Sequence, residues 1–204
     1  MKTKALHKTV DLRNMKDKAS NHFSYLLYVI LYLVGLLLSV SLFYFDESEL
    51  VKHIINASQI PISAYDVLDL IKKFCTTNVF TILISFVSGF CAIGKPIMMI
   101  NMICNAIQIG LYCLQYTMHE SKNSLLFTLS IYIPAAVIAG ICVIISNVQS
   151  SFLSTDIYNN VIHSVGKIIN IRTYLSRYVL IIFILLFAIV YLFLASMLFI
   201  RIVN

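Results

Sequence analysis

Five long apolar segments, separated by polar stretches, dominate the pattern of hydrophobic and polar positions along the chain. A helix needs about 17 to 25 mostly apolar residues to cross the hydrocarbon core of a bilayer, and none of the five contains a charged residue. They cover residues 23–45, 78–94, 96–116, 125–147 and 178–200. The pattern predicts an all-α fold, a polytopic membrane bundle of about five transmembrane helices over residues 23–204, preceded by a basic tail, residues 1–22.

Proline and glycine interrupt this pattern at two places. Gly94, Lys95 and Pro96 lie between the second and third segments, and proline cannot continue a helix without losing a backbone hydrogen bond. These two segments are therefore expected to form a tight hairpin with Gly94 and Pro96 at its turn. Within the fourth segment, Pro134 is expected to free a backbone carbonyl and to kink the helix.

The amino-acid composition indicates that most of the protein surface faces lipid. Hydrophobic residues make up 60% of the 204 residues and charged residues only 12%, which is too few to cover the surface of a soluble domain. The net charge of +6 would suit nucleic acid, but the Lys and Arg residues cluster at the ends of apolar segments, as determinants of membrane topology do. The predicted partner is the bilayer and not nucleic acid, and the oligomeric state is left open.

The distribution of Lys and Arg also predicts the orientation, because the cytoplasmic side of a membrane protein carries the excess. The tail holds six, the hairpin turn one and the connection 148–177 three, ten in all, whereas the opposite side holds five. Most of the acidic residues accompany those five. We therefore expect the N-terminus in the cytoplasm and the C-terminus outside.

The outer connection, residues 46–77, carries a short apolar pattern of its own. Val67, Leu68, Ile71 and Phe74 recur at positions that share one face of a helix. Such a pattern predicts an amphipathic helix lying on the outer membrane surface. These four residues are the candidate partner-binding surface of the loop.

The inner connection, residues 148–177, shows helical periodicity as well. Its apolar stripe consists of Ile157, Val161, Val165, Ile168 and Ile169. Two interpretations are open for this basic amphipathic segment. It is either an interfacial helix attracted to anionic headgroups or an ordinary linker helix packed against the bundle.

Polar residues inside the second and third segments form two rows at helical spacing. The rows consist of Thr81, Ser85 and Ser88, with Gly89 beside them, and of Asn101, Asn105 and Gln108. An unpartnered amide in lipid costs several kcal/mol, so the two rows are expected to face each other across the hairpin. One interpretation is a polar seam that holds helices together, and the other is a path lined by amides. No Asp, Glu, Lys, Arg or His lies inside the segments, which argues against ion-coupled transport.

Motifs that carry enzyme chemistry were sought in the same sequence. It contains no HExxH metal site, no G-x-S-x-G nucleophile elbow and no glycine-rich phosphate loop. The five histidines lie in polar flanks or at the border of the first segment. We therefore expect no catalytic residue, no metal site and no cofactor.

The hairpin carries a family resemblance. Residues 86–97, with the sequence FVSGFCAIGKPI, running on to Asn105 and Gly110, resemble the stage II sporulation protein M family. The order of parts is similar too: a basic tail and first span, a long outer loop, a glycine-rich second span, a Gly-x-Pro turn, a polar third span, a fourth span with a proline and a fifth that ends outside. Lys95 stands where the family has an apolar or small residue.

The resemblance implies a multi-pass scaffold of the bacterial cell membrane. Members of that family recruit peptidoglycan hydrolases at the envelope, in a sporulating cell for septal wall thinning and engulfment, so the implied partners are membrane or envelope proteins. The alternative, which the amide row suggests, is the membrane subunit of a transporter or permease with an amide-lined path. A small immunity or stress protein of the membrane is a third hypothesis.

Overall fold

The computed structural model describes residues 2–45, 64–118, 122–163 and 171–203. Within these residues the chain is helical apart from one short turn. Its helices are α1, Lys2–Phe45; α2, Ala64–Gly89; α3, Gly94–Met118; α4, Lys122–Phe127; α5, Ile133–His163; and α6, Ile171–Val203. A π-helical turn, Thr128–Tyr132, joins α4 to α5 without a break in helical backbone angles.

Five helical stretches of the described chain are long and apolar enough to cross a membrane. They are Phe23–Tyr44, Val67–Gly89, Gly94–Thr117, Leu125–Ile162 and Ile171–Ile202. The prediction of an all-α, multi-pass membrane bundle is thereby confirmed. The fourth stretch has 38 residues, which at 1.5 Å per residue is about 57 Å. Because a hydrocarbon core is about 30 Å thick, this helix tilts strongly or projects from the bilayer.

The second span differs from its predicted bounds. The residues expected to form a separate surface helix are the first turns of α2, where Val67 and Phe74 are buried in the core, Ile71 is half-buried and Leu68 is exposed. A helix on a membrane surface and the end of a spanning helix have the same apolar period, so periodicity alone does not separate them. The rest of the predicted outer loop, 46–63, lies outside the described residues.

The inner connection also differs from the expectation. α5 continues through it to His163 and buries Ser150, Leu153 and Ser154. Of the predicted stripe, Ile157 packs against the core and Val161 is exposed. The other three stripe residues, 165, 168 and 169, lie outside the part of the chain that the structure describes. α6 then begins at Ile171, seven residues before the predicted start of the fifth span.

Small residues let α1 and α3 approach each other closely. Gly35 and Ser39 on α1 face Ala106 and Gly110 on α3, so each helix presents two small residues four positions apart. A Cβ added to Gly35 would lie 2.7 Å from the Ala106 Cβ, and one added to Gly110 would overlap the Ser39 side chain. This is the small-xxx-small packing that membrane helices use, and α1 packs mainly through it.

Pro134 leaves the carbonyl of Ser130 without its helical donor, because proline has no N–H. The Tyr191 hydroxyl on α6 donates a hydrogen bond to that carbonyl at 2.9 Å. Just before the proline, the Ile133 N–H donates to the Thr128 carbonyl, five residues back, which widens the backbone into the π-helical turn. The hydrogen bond from Tyr191 therefore ties α6 to the irregular part of the fourth span.

A larger side chain at Gly110 is expected to separate α1 from α3. Gly110→Val should lower the free energy of unfolding by about 2 kcal/mol or more, because overpacking forces the two backbones apart. Thermal unfolding of the purified protein in detergent measures this change. Ile100→Val on the exposed side of the same helix is the matched control, and equal unfolding temperatures for the two variants would contradict this packing.

Removal of the Tyr191 hydroxyl is expected to leave the Ser130 carbonyl unpaired in an apolar environment. Tyr191→Phe should destabilise the protein by about 1 kcal/mol. This loss of stability should disappear in a Pro134→Ala background, where the restored N–H of residue 134 donates a hydrogen bond to the Ser130 carbonyl. Unfolding of the four variants as a double-mutant cycle tests this coupling, and additive effects would argue against it.

Candidate functional site

Two asparagines of α3 bind α2 by hydrogen bonds. The Asn101 Nδ2 atom donates to the Thr81 carbonyl at 2.9 Å and to the Ser85 hydroxyl at 3.3 Å. The Asn105 Nδ2 atom donates to the Thr81 hydroxyl at 3.2 Å and to the Asn78 Oδ1 atom at 3.4 Å. The two polar rows therefore meet across the hairpin, with side chains at the same depth paired to each other.

The same network extends to α5. Ser85 is fully buried, and its hydroxyl lies 3.0 Å from the Asn147 Oδ1 atom and 2.9 Å from the Thr81 carbonyl. Since a hydroxyl has one proton, Ser85 donates to one of these acceptors at a time. Asn147 is also fully buried and donates from Nδ2 to the Val143 carbonyl of its own helix at 2.8 Å. The seam thus joins α2, α3 and α5.

Three of the seven predicted seam residues take no part in this network. Ser88 is buried, and its carbonyl accepts the Cys91 N–H at 3.1 Å in the hairpin turn. Gly89 faces Tyr174 of α6, whose ring leaves no room for a Cβ. Gln108 is half-buried and forms no hydrogen bond with any residue that the structure describes.

The hairpin turn explains the roles of Gly94 and Pro96. A Cβ at Gly94 would overlap the Ser88 carbonyl, so the turn closes only around glycine. Pro96 lies in the first turn of α3, where a missing N–H costs no intrahelical bond. The turn is then anchored to α5, because the Ser154 hydroxyl donates to the Cys91 carbonyl at 2.7 Å.

A cluster of hydroxyl groups fastens α6 beside the turn. The Tyr174 hydroxyl lies 3.0 Å from the Ser150 hydroxyl and 3.0 Å from the Phe86 carbonyl of α2. The Tyr178 hydroxyl bonds the Ser150 hydroxyl and donates to the Ser146 carbonyl at 3.0 Å. Around them the rings of Phe86 and Tyr174 stack with centroids 5.5 Å apart. This end of the bundle is a closed polar and aromatic clamp.

An open groove of about 560 Å³ lies on the surface of the hairpin, between α2 and α3. It is lined by Thr76, Thr77, Phe80, Thr81, Ile84, Ile97, Ile100, Asn101, Cys104, Asn105 and Gln108. Its floor is the α2–α3 part of the polar seam, and exposed Phe80 and Ile100 stand at its rims. The Oδ1 atom of Asn105 is buried without a hydrogen-bond partner among the described residues.

Sequence reasoning missed one member of the network, Asn78, and placed another, Asn147, near the end of the fourth span. Asn78 continues the row of Thr81 and Ser85 at helical spacing and is buried, so the signal was present. It was passed over because the second span was predicted to begin at that residue. Asn147 lies in the middle of a continuous helix, α5, and not at the end of a span.

No family model, no curated protein and no solved structure matches this chain. The resemblance of residues 86–97 to the stage II sporulation protein M family therefore stays a prediction. Any function assigned to the chain rests on its sequence and on the geometry described above.

Asn101 and Gln108 provide a matched pair of amides on one helix. Asn101→Leu should lower the free energy of unfolding by about 1 kcal/mol, because it removes two hydrogen bonds between helices. Gln108→Leu should leave the free energy of unfolding unchanged, because Gln108 forms no hydrogen bond with the described residues. Chemical denaturation with one chain per detergent micelle measures both variants, and an equal loss of stability would show that the seam does not hold the hairpin together.

Proposed function

We propose that this protein is a non-catalytic scaffold of the bacterial cell membrane that recruits or localises peptidoglycan hydrolases at the envelope. In a sporulating cell its role would be septal wall thinning and engulfment. The observation that carries the proposal is the closed polar seam, in which Asn101, Ser85 and Asn147 bond to one another or to backbone carbonyls. The family resemblance of the hairpin supplies the class of partner.

The seam favours a scaffold because most of its hydrogen-bonding groups are already paired within the protein. A path for a polar substrate needs side chains that face a water-filled space and exchange partners as the substrate passes. Here Ser85, Asn105 and Asn147 are at most 1% exposed, and their bonds cross from helix to helix. Such bonds fix the relative positions of the helices, and a docking surface for other proteins needs that rigidity.

The proposal includes an orientation, with the N-terminus in the cytoplasm. Contacts gather the N-terminal end of the first span, the hairpin turn and the start of α6 at one end of the bundle. Gln149 links Tyr25 and Arg177, donating to the Tyr25 hydroxyl at 3.2 Å and accepting from the guanidinium. Lys95 and Arg172 are exposed near the same end. Basic residues at one end support the positive-inside assignment.

The opposite end of the bundle then lies on the outer side of the membrane, where cell-wall hydrolases would bind. Leu68 is the exposed member of the four predicted contact residues, at 56%. It lies in the first turns of α2 next to Asp69, which pairs with Lys73. An exposed leucine beside a paired charge can be covered by a partner at little desolvation cost. We assign the partner contact to this end of α2.

A permease remains the second candidate, and the groove beside the hairpin favours it. Gln108 and Asn101 line this groove, which opens along one side of the hairpin. A substrate would have to bond the Gln108 amide there. Replacement of Asn101, Asn105 and Gln108 by leucine should abolish flux in a permease, whereas in a scaffold it should lower stability alone.

Recovery of partners tests the scaffold directly. The tagged full-length protein, extracted from its own host in mild detergent, should bring down peptidoglycan hydrolases identifiable by mass spectrometry. Leu68→Ala should lower their recovery roughly fivefold, the effect of one truncated interface leucine. Leu83→Ala is the matched control, since Leu83 is 53% exposed on the same helix but lies far from the outer end.

Either of two results would contradict the scaffold proposal. One is recovery of an ATPase or a substrate-binding protein in place of hydrolases, which would make the chain a transporter subunit. The other is equal recovery of hydrolases with Leu68→Ala and with wild type, which would leave the α2 end without a role in recruitment.

A further inference from the structure

One face of α3 turns polar and small residues toward the lipid. Ile97, Asn101, Cys104 and Gln108 line the groove and recur at spacings of four, three and four, the period of a seam between two packed helices. The exposed surface of α6, by contrast, carries large apolar side chains such as Phe183 at 73% and Phe187 at 64%. The α3 face therefore has the composition of a helix interface, and no helix of the described residues covers it.

Two hydrogen-bonding groups along the groove, the Gln108 amide and the Asn105 Oδ1 atom, have no partner among the described residues. Gln108 is accessible from the groove, whereas the Asn105 Oδ1 atom is buried in its floor. Gln108 is ten residues from the nearer end of α3, about 15 Å along the helix axis. At that depth neither water nor a lipid headgroup is at hand, so the partner must be a protein group within the bilayer.

We propose that the groove binds a second copy of this chain, with α3 of each copy packed into the α2–α3 groove of the other. All copies insert with the same orientation, so their twofold axis runs along the membrane normal, and the α3 residues that lie at this axis meet their own counterparts. A carboxamide suits that symmetry because it both donates and accepts. The Gln108 amides of two copies can therefore bond reciprocally, which two lysine ammonium groups or two ionised glutamates could not do.

The rims of the groove agree with this arrangement. Phe80 and Ile100 are each 64% exposed on either side of the polar floor, and a helix lying between them would be flanked by both. Lipid chains would fill the same space but would leave the amides unpaired. A helix from a different protein would need a matching amide at the same depth, and the experiment below separates that occupant from a second copy.

Cys104 is an exposed native cysteine in the groove, at the centre of the proposed contact between copies. A disulfide at this position therefore reports whether two copies meet there. The full-length protein should have its other four cysteines replaced by alanine and be oxidised in membranes with copper phenanthroline, which accepts the two electrons as two thiols lose their protons and form one disulfide. A covalent dimer should form at Cys104. The control carries Cys104→Ala and Phe183→Cys, which places an exposed thiol on α6.

Dimer formation several-fold greater at Cys104 than at position 183 would support the proposal. Equal yields at the two positions, which would indicate random collisions, would overturn it. So would a Cys104 adduct with a different protein, or no adduct at all.

Gln108→Leu gives a second readout that does not depend on cross-linking. Energy transfer between donor-labelled and acceptor-labelled copies in proteoliposomes should show an association constant roughly tenfold lower than that of wild type, since two hydrogen bonds between helices are lost. The unfolding of the single chain should not change, which separates a loss of dimer from a loss of fold. An unaltered association constant would rule out the reciprocal amide pair.

Discussion

Hydrogen bonds between Asn101, Ser85 and Asn147 hold together the three helices on which the rest of the bundle is arranged. The hydrocarbon core offers no water to a polar side chain, so each buried amide or hydroxyl must find its partner in the protein. The Asn101 amide reaches both the Thr81 carbonyl and the Ser85 hydroxyl, and Ser85 reaches Asn147 of α5. A shift of one helix along another by a single turn would leave these groups unpaired. The seam therefore sets the register of α2, α3 and α5.

α3 is central because it makes three kinds of contact. Asn101 and Asn105 bond to α2, whereas Ala106 and Gly110 pack without hydrogen bonds against Gly35 and Ser39 of α1. Residues 105 and 106 differ by about 100° around the helix, at 3.6 residues per turn, so neighbouring positions serve different helices. Cys104 and Gln108, beside Asn101 on the helix surface, line the groove. Polar bonding and close packing thus act side by side on one helix.

The apolar segments and the polar rows of the hairpin were predictable because they depend on local pattern alone. The ends of α2 and α5 were not predictable, because polar residues near the end of an apolar segment can either mark the end of the helix or be buried within a longer one. In α5 the Ser146 hydroxyl donates to the Val143 carbonyl at 3.0 Å, and the Thr155 hydroxyl to the Ser151 carbonyl at 2.7 Å. Hydroxyl groups that bond back to their own helix are compatible with burial, so a serine-rich stretch continued the helix where the sequence suggested a connection.

The small-residue contact between α1 and α3 escaped prediction for a different reason. Gly35, Ser39, Ala106 and Gly110 carry a signal, a spacing of four between small residues on each of two helices. Such pairs are frequent, and the sequence does not say which two helices are neighbours. Only the fold places Gly110 against Ser39. The same limit applies to Gln108, since its amide matched the polar row in spacing, yet it forms no hydrogen bond with a described residue, although Thr76 and Thr77 of α2 line the same groove.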